Sequence, residues 1–297
     1  MDKNSPFALS NALGYERWRA RKLEQAKGLA VAPVIQLNDA MTISATAIEA
    51  LKRDCHQFNV ARYKFRGAQT RTANEQVHAV AAALGLRRVD RTTATQPDGI
   101  ARISAHTEKH TREYIPFTNR TLNWHTDGYY NSSEHQIRGV IMQCVSPAAR
   151  GGENVLLDTD LAYISLRDEN PDWIEALMTA DAMTIPANID ETGGIIRPAC
   201  AGPVFSVDGQ DGTLHMRYTA RTRSVKWRSD SLTGRAAAYL RDYLSEPPDH
   251  SVCISLSAGE GLVSNNVLHT RVAFEDHDQI GKRVHLRARY YDRIAGT

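Results

Sequence analysis

The residues best suited to chemistry lie in one short stretch, Leu122 to Tyr130, which contains His125 and Asp127. Side chains two positions apart in an extended segment point to the same face, so this imidazole and this carboxylate would be directed at one spot. They supply two ligands of a two-histidine, one-carboxylate metal site, an arrangement that leaves positions on Fe(II) open for oxygen and small molecules. The stretch therefore predicts a metal site that needs one more histidine.

The candidate for the third ligand is His269, at the end of the segment Val263-Ser264-Asn265-Asn266-Val267-Leu268-His269. It must be brought in by a distant strand, since 269 minus 125 puts the two histidines 144 positions apart. Any single histidine among the 11 of this chain is more often a core or surface residue than a ligand. The prediction that His125, Asp127 and His269 bind a metal therefore depends on all three together.

A second group of polar side chains lies in the segment from Lys282 to Tyr290. Alternation with period two puts charged or titratable side chains on one face of a strand and apolar ones on the other. The polar face carries Arg283, His285, Arg287 and Arg289. Arginines on such a face suit carboxylate binding, because the planar guanidinium contacts two oxygens and keeps its charge at neutral pH.

The elements that must position these groups follow from periodicity and capping signals. The pattern predicts an amphipathic helix within residues 1–30, a helix opened by a capping box at Thr46 and another opened at Thr72. Strand-like runs cover residues 61–66, 137–145, 153–157, 252–256, 261–270 and 283–291. Many short strands with a few helices predict a mainly β fold, a sandwich or barrel with helices outside it.

Length and composition fit one domain with an extension. With 297 residues, 42% of them hydrophobic and 24% charged, the chain can bury a sizeable core. The sequence has neither an internal repeat nor a low-complexity segment. We therefore expect an N-terminal helical extension over residues 1–43 and a single domain over residues 44–297.

Charge and cysteine usage limit the classes of partner. A net charge of +2, from 36 basic and 34 acidic residues, gives no strong overall field, so nucleic acid is not expected as a partner. The sequence shows no signal peptide and no apolar stretch of bilayer length, so no membrane association is expected. Four scattered cysteines without a CxxC pair favour reduced thiols in the cytoplasm. A homo-oligomer is left open.

These motifs together resemble the Fe(II)- and 2-oxoglutarate-dependent dioxygenases of the taurine dioxygenase (TauD/TfdA-like) family. Trp124-His125-Thr126-Asp127, His269 and the arginine strand carry the resemblance, which runs from about Val60 to Tyr291. It implies a double-stranded β-helix, or jelly roll, with helical inserts and a site for Fe(II), 2-oxoglutarate and O2. Asp127 stands where halogenating members have a small residue, so the resemblance implies hydroxylation of a small organic substrate.

A glycine turn adds a further residue to the resemblance. Gly151-Gly152-Glu153-Asn154 resembles the Gly-Gly-Asp-Thr turn of the family, whose threonine helps to hold 2-oxoglutarate. Asn154 stands in the threonine's place, and its amide can still donate a hydrogen bond. The resemblance therefore implies a co-substrate-binding role for Asn154.

The choice among the arginines stays open. Related enzymes place the arginine that binds 2-oxoglutarate a short way past the distal histidine, and 283 minus 269 is 14, which favours Arg283. Arg287 is the second choice for binding 2-oxoglutarate. The primary substrate is expected to carry an anionic group, which binds to whichever of Arg287 and Arg289 does not bind 2-oxoglutarate. Arg289 lies near the strand end, so an ion pair with an acid such as Asp292 is an equally good prediction.

Two other classes of function compete with this expectation. A zinc-dependent isomerase or a non-redox metal-binding module on the same barrel would have the same three ligands, but it would not need the arginine strand. An interaction protein without catalysis is the third class, and the complete ligand set argues against it. No catalytic residue beyond the metal ligands is expected.

Overall fold

The fold is described by a computed structural model that covers residues 2–38, 43–66, 71–92, 94–105, 115–221, 225–276 and 281–297. This part of the chain contains six α-helices: α1 (Ala12–Ala26), α2 (Ala45–Phe58), α3 (Ala73–Ala83), α4 (Thr159–Glu169), α5 (Pro171–Leu177) and α6 (Ser231–Tyr243). It also contains 19 strands, most of them short. The expected mainly β fold with flanking helices is confirmed.

The strands up to residue 157 are β1 (Ile35–Asn38), β2 (Val60–Arg66), β3 (Ile100–Ile103), β4 (Leu122–His125), β5 (Gly139–Ser146), β6 (Arg150–Gly151) and β7 (Asn154–Leu157). The next seven are β8 (Met183–Ile185), β9 (Asn188–Ile189), β10 (Ile195–Arg197), β11 (Cys200–Gly202), β12 (Phe205–Val207), β13 (Leu214–Met216) and β14 (Lys226–Trp227). The last five are β15 (Val252–Ile254), β16 (Glu260–Ser264), β17 (Leu268–Arg271), β18 (Phe274–Glu275) and β19 (Val284–Tyr290).

Two sheets position the predicted site residues. The larger has the strand order β1-β2-β16-β5-β19-β3 and the smaller has the order β15-β7-β17-β4. In the larger sheet β1 and β2 are parallel, whereas the pairs between β2, β16, β5, β19 and β3 are antiparallel. The remaining strands form a three-stranded sheet, β11-β8-β14, and the two-stranded pairs β10-β9, β12-β13 and β18-β6.

The larger sheet is covered on both faces. Val263 of β16 packs in a buried cluster with Leu51 of α2 and Val80 of α3. The next residue toward the N-terminus, Leu262, packs in a second cluster with Leu156, which belongs to the smaller sheet. Adjacent residues of a strand point to opposite faces, so one face meets helices and the other meets the smaller sheet. This confirms that the run over residues 137–145 is a strand apolar on both sides.

The run predicted as one strand over residues 261–270 is two strands that belong to different sheets. Asn265 and Asn266 separate β16 from β17, and Asn266 has a positive φ of 56° that ends the extended conformation. The Asn266 amide donates to the Ile137 carbonyl at 2.6 Å, and Asn265 Oδ1 accepts from the Ile294 backbone amide at 3.3 Å. The two adjacent asparagines were the sequence signal for this corner, which the prediction of a single strand did not use.

Helix capping follows the sequence in one case and departs from it in another. The capping box at Thr72 and Glu75 is present at the start of α3. Helix α2, however, is capped by Ser44 rather than by Thr46, because the Ser44 side chain accepts from the Ala47 backbone amide. Ser44 precedes Thr46 by two residues and has the extended backbone that an N-cap requires.

The chain divides into two compact units. The first unit comprises Met1–Gly28, Trp124–Gln136 and Leu157–Ser251; the second unit comprises Leu29–Asn123, Ile137–Leu156 and Val252–Thr297. Within the first unit, Trp18 of α1 packs edge-to-face on Tyr163 of α4 with ring centroids 5.9 Å apart.

The separation of an extension over residues 1–43 from a domain over residues 44–297 stays a prediction. Over the described ranges, no helix combines the length and apolarity needed to cross a membrane.

A buried ion pair fixes α1 against α4 within the first unit. Lys22 is 5% exposed, and its Nζ lies 2.7 Å from Asp158 Oδ2 and 2.8 Å from Asp160 Oδ2. Burial by itself lowers the pKa of the Lys22 ammonium, but the two carboxylates outweigh burial and raise it. Asp158 also caps α4 by accepting from the Asp160 backbone amide at 3.0 Å.

We expect Lys22→Met to destabilise the protein at pH 7 by about 3–5 kcal/mol, because it leaves two buried carboxylates without their cation. Urea unfolding monitored by circular dichroism measures the change. Lys27→Met is the matched control, since Lys27 pairs with Glu24 on the exposed surface and should cost only ~0–1 kcal/mol. Equal losses in the two variants would show that the buried pair does not hold α1 in place.

Candidate metal centre

The first two predicted ligands lie at the end of strand β4. His125 is its last residue, and Asp127 lies two positions further on, where a turn begins. The Thr126 backbone amide donates to the Tyr218 carbonyl at 3.0 Å, and the Tyr218 amide donates to Thr126 Oγ1 at 3.0 Å. These bonds anchor the backbone between the two ligands, so that both side chains are held at the end of the strand.

The third predicted ligand is in strand β17, the neighbour of β4 in the smaller sheet. Metal-binding atoms of His125, Asp127 and His269 all lie within 4.8 Å of one another. The three residues are 6%, 4% and 8% exposed. Two buried imidazoles and one buried carboxylate at this separation form a donor set that fits Fe(II), and also other divalent transition metals.

The orientation of the His269 ring also suits a metal ligand. Its Nδ1 lies 3.1 Å from the Val267 backbone carbonyl oxygen. When Nδ1 carries the proton it donates to this carbonyl, which leaves the lone pair of Nε2 for a metal. A backbone carbonyl in this position is a common partner of metal-binding histidines.

A pocket inside the second unit reaches His269. Its lining is mainly apolar, with four polar residues: Val140, Met142, Asn154, Leu156, Leu262, Ser264, Asn266, Val267 and His269. Asn154 is 3% exposed, and its side-chain nitrogen has no hydrogen-bond partner in the described part of the chain. A buried amide donor without a partner is unfavourable, so this site suits a small polar ligand that accepts from Asn154.

Arg283 lies beside the glycine turn. It is 3% exposed, and its Nη2 lies 3.5 Å from the Gly152 carbonyl and 3.1 Å from His285 Nδ1. Burial lowers the pKa of Arg283. Gly152 has a φ of 78°, and a Cβ at this position would lie 3.1 Å from Arg283 Nε, so only glycine fits easily here. Across the described ranges no carboxylate forms an ion pair with the Arg283 guanidinium.

His285 is neutral at physiological pH. Burial, and then the charges of Arg283 and Arg271, hold the pKa of His285 well below its ordinary value. The neutral ring can therefore accept the hydrogen bond that Arg283 donates to Nδ1. This role orients the arginine without adding another charge.

The sequence analysis missed Arg271, which lies two positions past His269 in β17. Its guanidinium is buried and donates to the carbonyls of Pro116, Thr118 and Arg120 at 3.1, 2.7 and 2.7 Å. Burial, followed by the charges of Arg283 and Arg287, lowers the pKa of Arg271 to about 10. The period-two spacing from His269 was the signal that could have identified it.

The other two arginines of β19 have different surroundings. Arg287 is half-buried and close enough to Arg271 to lower its pKa, so Arg271, Arg283, Arg287 and His285 form what we call the cationic cluster. Arg289 forms a buried ion pair instead, with its Nη2 2.6 Å from Asp90 Oδ2. The acid is thus Asp90 and not Asp292, which binds the Arg88 side chain. The sequence carries no signal for the Asp90 contact.

Comparison with known proteins places these features in a family. The model of the family described as "Taurine catabolism dioxygenase TauD, TfdA family" matches residues 20–290. A uridine-5'-phosphate dioxygenase from Amycolatopsis sp is 32% identical over 158 residues, which is 52% of this chain and 55% of that protein. A uridine-5'-phosphate dioxygenase from Streptomyces sp is 31% identical over 185 residues, which is 60% of this chain and 65% of that protein. The match thus spans less than two thirds of either relative.

A solved structure shares the fold at low sequence identity. An asparagine oxygenase in complex with Fe(II), 2S,3S-3-hydroxyasparagine and succinate superposes with a TM-score of 0.57 and 14% identity, covering 91% of this chain and 90% of its own. At this identity the likeness concerns the fold alone. The family match, by contrast, extends over nearly the whole sequence. On that ground the chain belongs to the taurine catabolism dioxygenase TauD, TfdA family.

Proposed function

We propose that this chain is an oxidoreductase, an Fe(II)- and 2-oxoglutarate-dependent dioxygenase that uses O2 to hydroxylate a small, anionic organic substrate. The proposal rests on the convergence of metal-binding atoms of His125, Asp127 and His269 within 4.8 Å of one another. Family membership and the names of the curated relatives support it. The alternative, a non-redox metal-binding protein or isomerase on the same barrel, would use the same ligands but has no need for the cationic cluster.

In this proposal His125, Asp127 and His269 hold the iron, which when bound supplies the oxygen chemistry. Arg283 binds a carboxylate of 2-oxoglutarate through its planar guanidinium. A buried guanidinium without an ion pair is unfavourable, and within the described residues Arg283 has no carboxylate at ion-pair distance, since Asp276 accepts from its backbone amide instead. An anionic co-substrate would therefore stabilise the guanidinium. Asn154 donates its otherwise unsatisfied side-chain N–H to the same co-substrate.

The remaining arginines are assigned by their surroundings. Arg287 belongs to the cationic cluster and is assigned to an anionic group of the primary substrate, while it stays the fallback for 2-oxoglutarate. Arg289 already has a buried carboxylate partner in Asp90, which makes a substrate-binding role unnecessary. The apolar walls of the pocket at His269 exclude water from the reacting groups.

The curated relatives suggest which anion to test first. Both are named for uridine 5'-phosphate, a nucleoside that carries a phosphate monoester. We take a phosphorylated nucleoside as the first candidate for the small-molecule substrate. Nucleic acid and membranes are not proposed as partners.

We also propose a cytoplasmic location. All four cysteines, Cys55, Cys144, Cys200 and Cys253, are free thiols. Free thiols are typical of a reducing compartment. A homo-oligomer stays a prediction from the sequence.

We expect His125→Ala and Asp127→Ala to abolish iron binding and succinate release while the fold stays intact, because each removes one of three ligands. Bound iron per chain after anaerobic loading and succinate formation are the measurements, with circular dichroism as the check of folding. His135→Ala is the matched control, since this histidine is exposed. An Asp127→Ala protein that turned over at the parent rate would refute the metal assignment. Activity with Zn(II) and without 2-oxoglutarate would favour the isomerase alternative.

Arg283→Ala should weaken 2-oxoglutarate binding by about 2–3 kcal/mol, because it removes a charge-assisted bidentate contact. Calorimetric titration of the Mn(II)-loaded protein measures the affinity. Arg283→Lys should recover only part of it, since lysine keeps the charge and loses the planar fork. Unchanged affinity in Arg283→Ala, together with a large loss in Arg287→Ala, would move the assignment to Arg287.

Succinate release should depend on an anionic group in the primary substrate, because Arg287 is assigned to such a group. Matched pairs test this: a carboxylate and its neutral amide, and uridine 5'-phosphate and uridine. We expect succinate release with an anionic member of a pair, and a rate of release at least about tenfold lower with its neutral counterpart. Equal turnover within every pair, unaffected by neutralising Arg287 or Arg289, would show that no anionic group is recognised.

A further inference from the structure

A second arginine site lies in the first unit, beside the segment that carries His125. The backbone of Thr219 forms an isolated antiparallel bridge with His125. Arg221 follows Thr219 by two positions, and its side chain is half-buried. Pairing of this segment with the end of β4 therefore brings a cation close to one of the proposed metal ligands.

Tyr129 connects Arg221 to the His125 ring. The two aromatic rings meet edge-to-face, with the centroids of His125 and Tyr129 6.3 Å apart. The Tyr129 hydroxyl lies within hydrogen-bonding reach of the Thr219 and Arg221 side chains. A phenol, an alcohol and a guanidinium are thus neighbours, and the ring of the phenol packs on the His125 ring.

Arg221 differs from the other arginine of the same segment. Arg217 is 4% exposed and its guanidinium donates to the carbonyls of Pro203, Gly202 and Met183, so it serves the structure. Among the residues with described positions, no carboxylate forms an ion pair with Arg221. A half-buried guanidinium beside two hydroxyls and without an acid is an arrangement that binds anions.

We propose that Arg221, together with the hydroxyls of Tyr129 and Thr219, forms a subsite for the phosphate group of a phosphate-monoester substrate. The inference rests on the proposed function, since it concerns the primary substrate of the same site. For a substrate whose only anionic group is a phosphate monoester, Arg221 takes the place of Arg287 as the partner of that group. A phosphate monoester has three terminal oxygens, which match three donor groups, whereas a carboxylate has only two. The guanidinium supplies the charge and the fork, and the two hydroxyls fix the orientation of the group.

Calorimetric titration of the protein loaded with Mn(II) and 2-oxoglutarate tests the subsite without turnover. The probes are uridine 5'-phosphate and uridine. We expect the wild-type protein to bind the phosphate form at least about tenfold more tightly, and Arg221→Ala to remove most of this difference. Tyr129→Phe keeps the ring beside His125 and should give a smaller loss. Arg235→Ala is the matched control, because it removes one exposed positive charge from the same unit and should change neither affinity.

The outcomes separate this inference from the proposed function, because 2-oxoglutarate binding is measured in the same samples. A preference of wild type for uridine 5'-phosphate over uridine that persisted in Arg221→Ala would overturn the subsite alone. Equal affinity of wild type for the two probes, or no binding of either, with 2-oxoglutarate binding intact would overturn the subsite and also contradict a phosphorylated nucleoside as the substrate. Loss of uridine 5'-phosphate binding in Arg221→Ala without loss of 2-oxoglutarate binding would support it. Absence of 2-oxoglutarate binding from the wild-type protein would count against the proposed function itself.

Discussion

The backbone pairing at the end of β4 is the constraint on which the site depends. Two hydrogen bonds between Thr126 and Tyr218 anchor the chain between His125 and Asp127, where the strand passes into a turn. The same pairing carries Thr219 and Arg221 to the side of His125. Neighbouring β17 in the same sheet provides His269. One stretch of backbone hydrogen bonding thus positions both the proposed metal ligands and the proposed phosphate subsite.

Buried charges elsewhere in the described chain contrast with the cationic cluster. Lys22 lies between two carboxylates, and Arg289 is paired with Asp90. Arg283 has a neutral imidazole and a backbone carbonyl as its polar partners, and Arg271 donates only to backbone carbonyls. Burying cations without acids costs free energy, which a bound dianion would offset. The unfavourable burial of positive charge thus occurs in the cationic cluster, where the proposed function requires an anion to bind.

Much of this site could be predicted from the sequence, because strands have a fixed period. The period of two identified His125 with Asp127 and the polar face of β19, and Thr72 marked the start of α3 through its capping box. The corner at Asn266 was missed although Asn265 and Asn266 interrupt the apolar residues there, because the run was taken as one strand. Arg271 was missed although it lies two positions past His269, a spacing that places both side chains on one face of a strand. Asp90 was missed for another reason, because its contact with Arg289 joins segments far apart in the chain and no local pattern encodes such a contact.

The arginines of β19 make this strand electrically asymmetric. At the Arg289 end, Asp90 pairs with the guanidinium, whereas at the Arg283 end the charges of Arg271 and Arg287 lie nearby and the Asp276 carboxylate offsets only part of the positive charge. The positive charge is therefore less compensated toward Gly152 and Arg283. A small dianion in this region would be drawn to one end and aligned by the gradient before any specific hydrogen bond forms. Strand β19 would then orient the entering dianion as well as bind it.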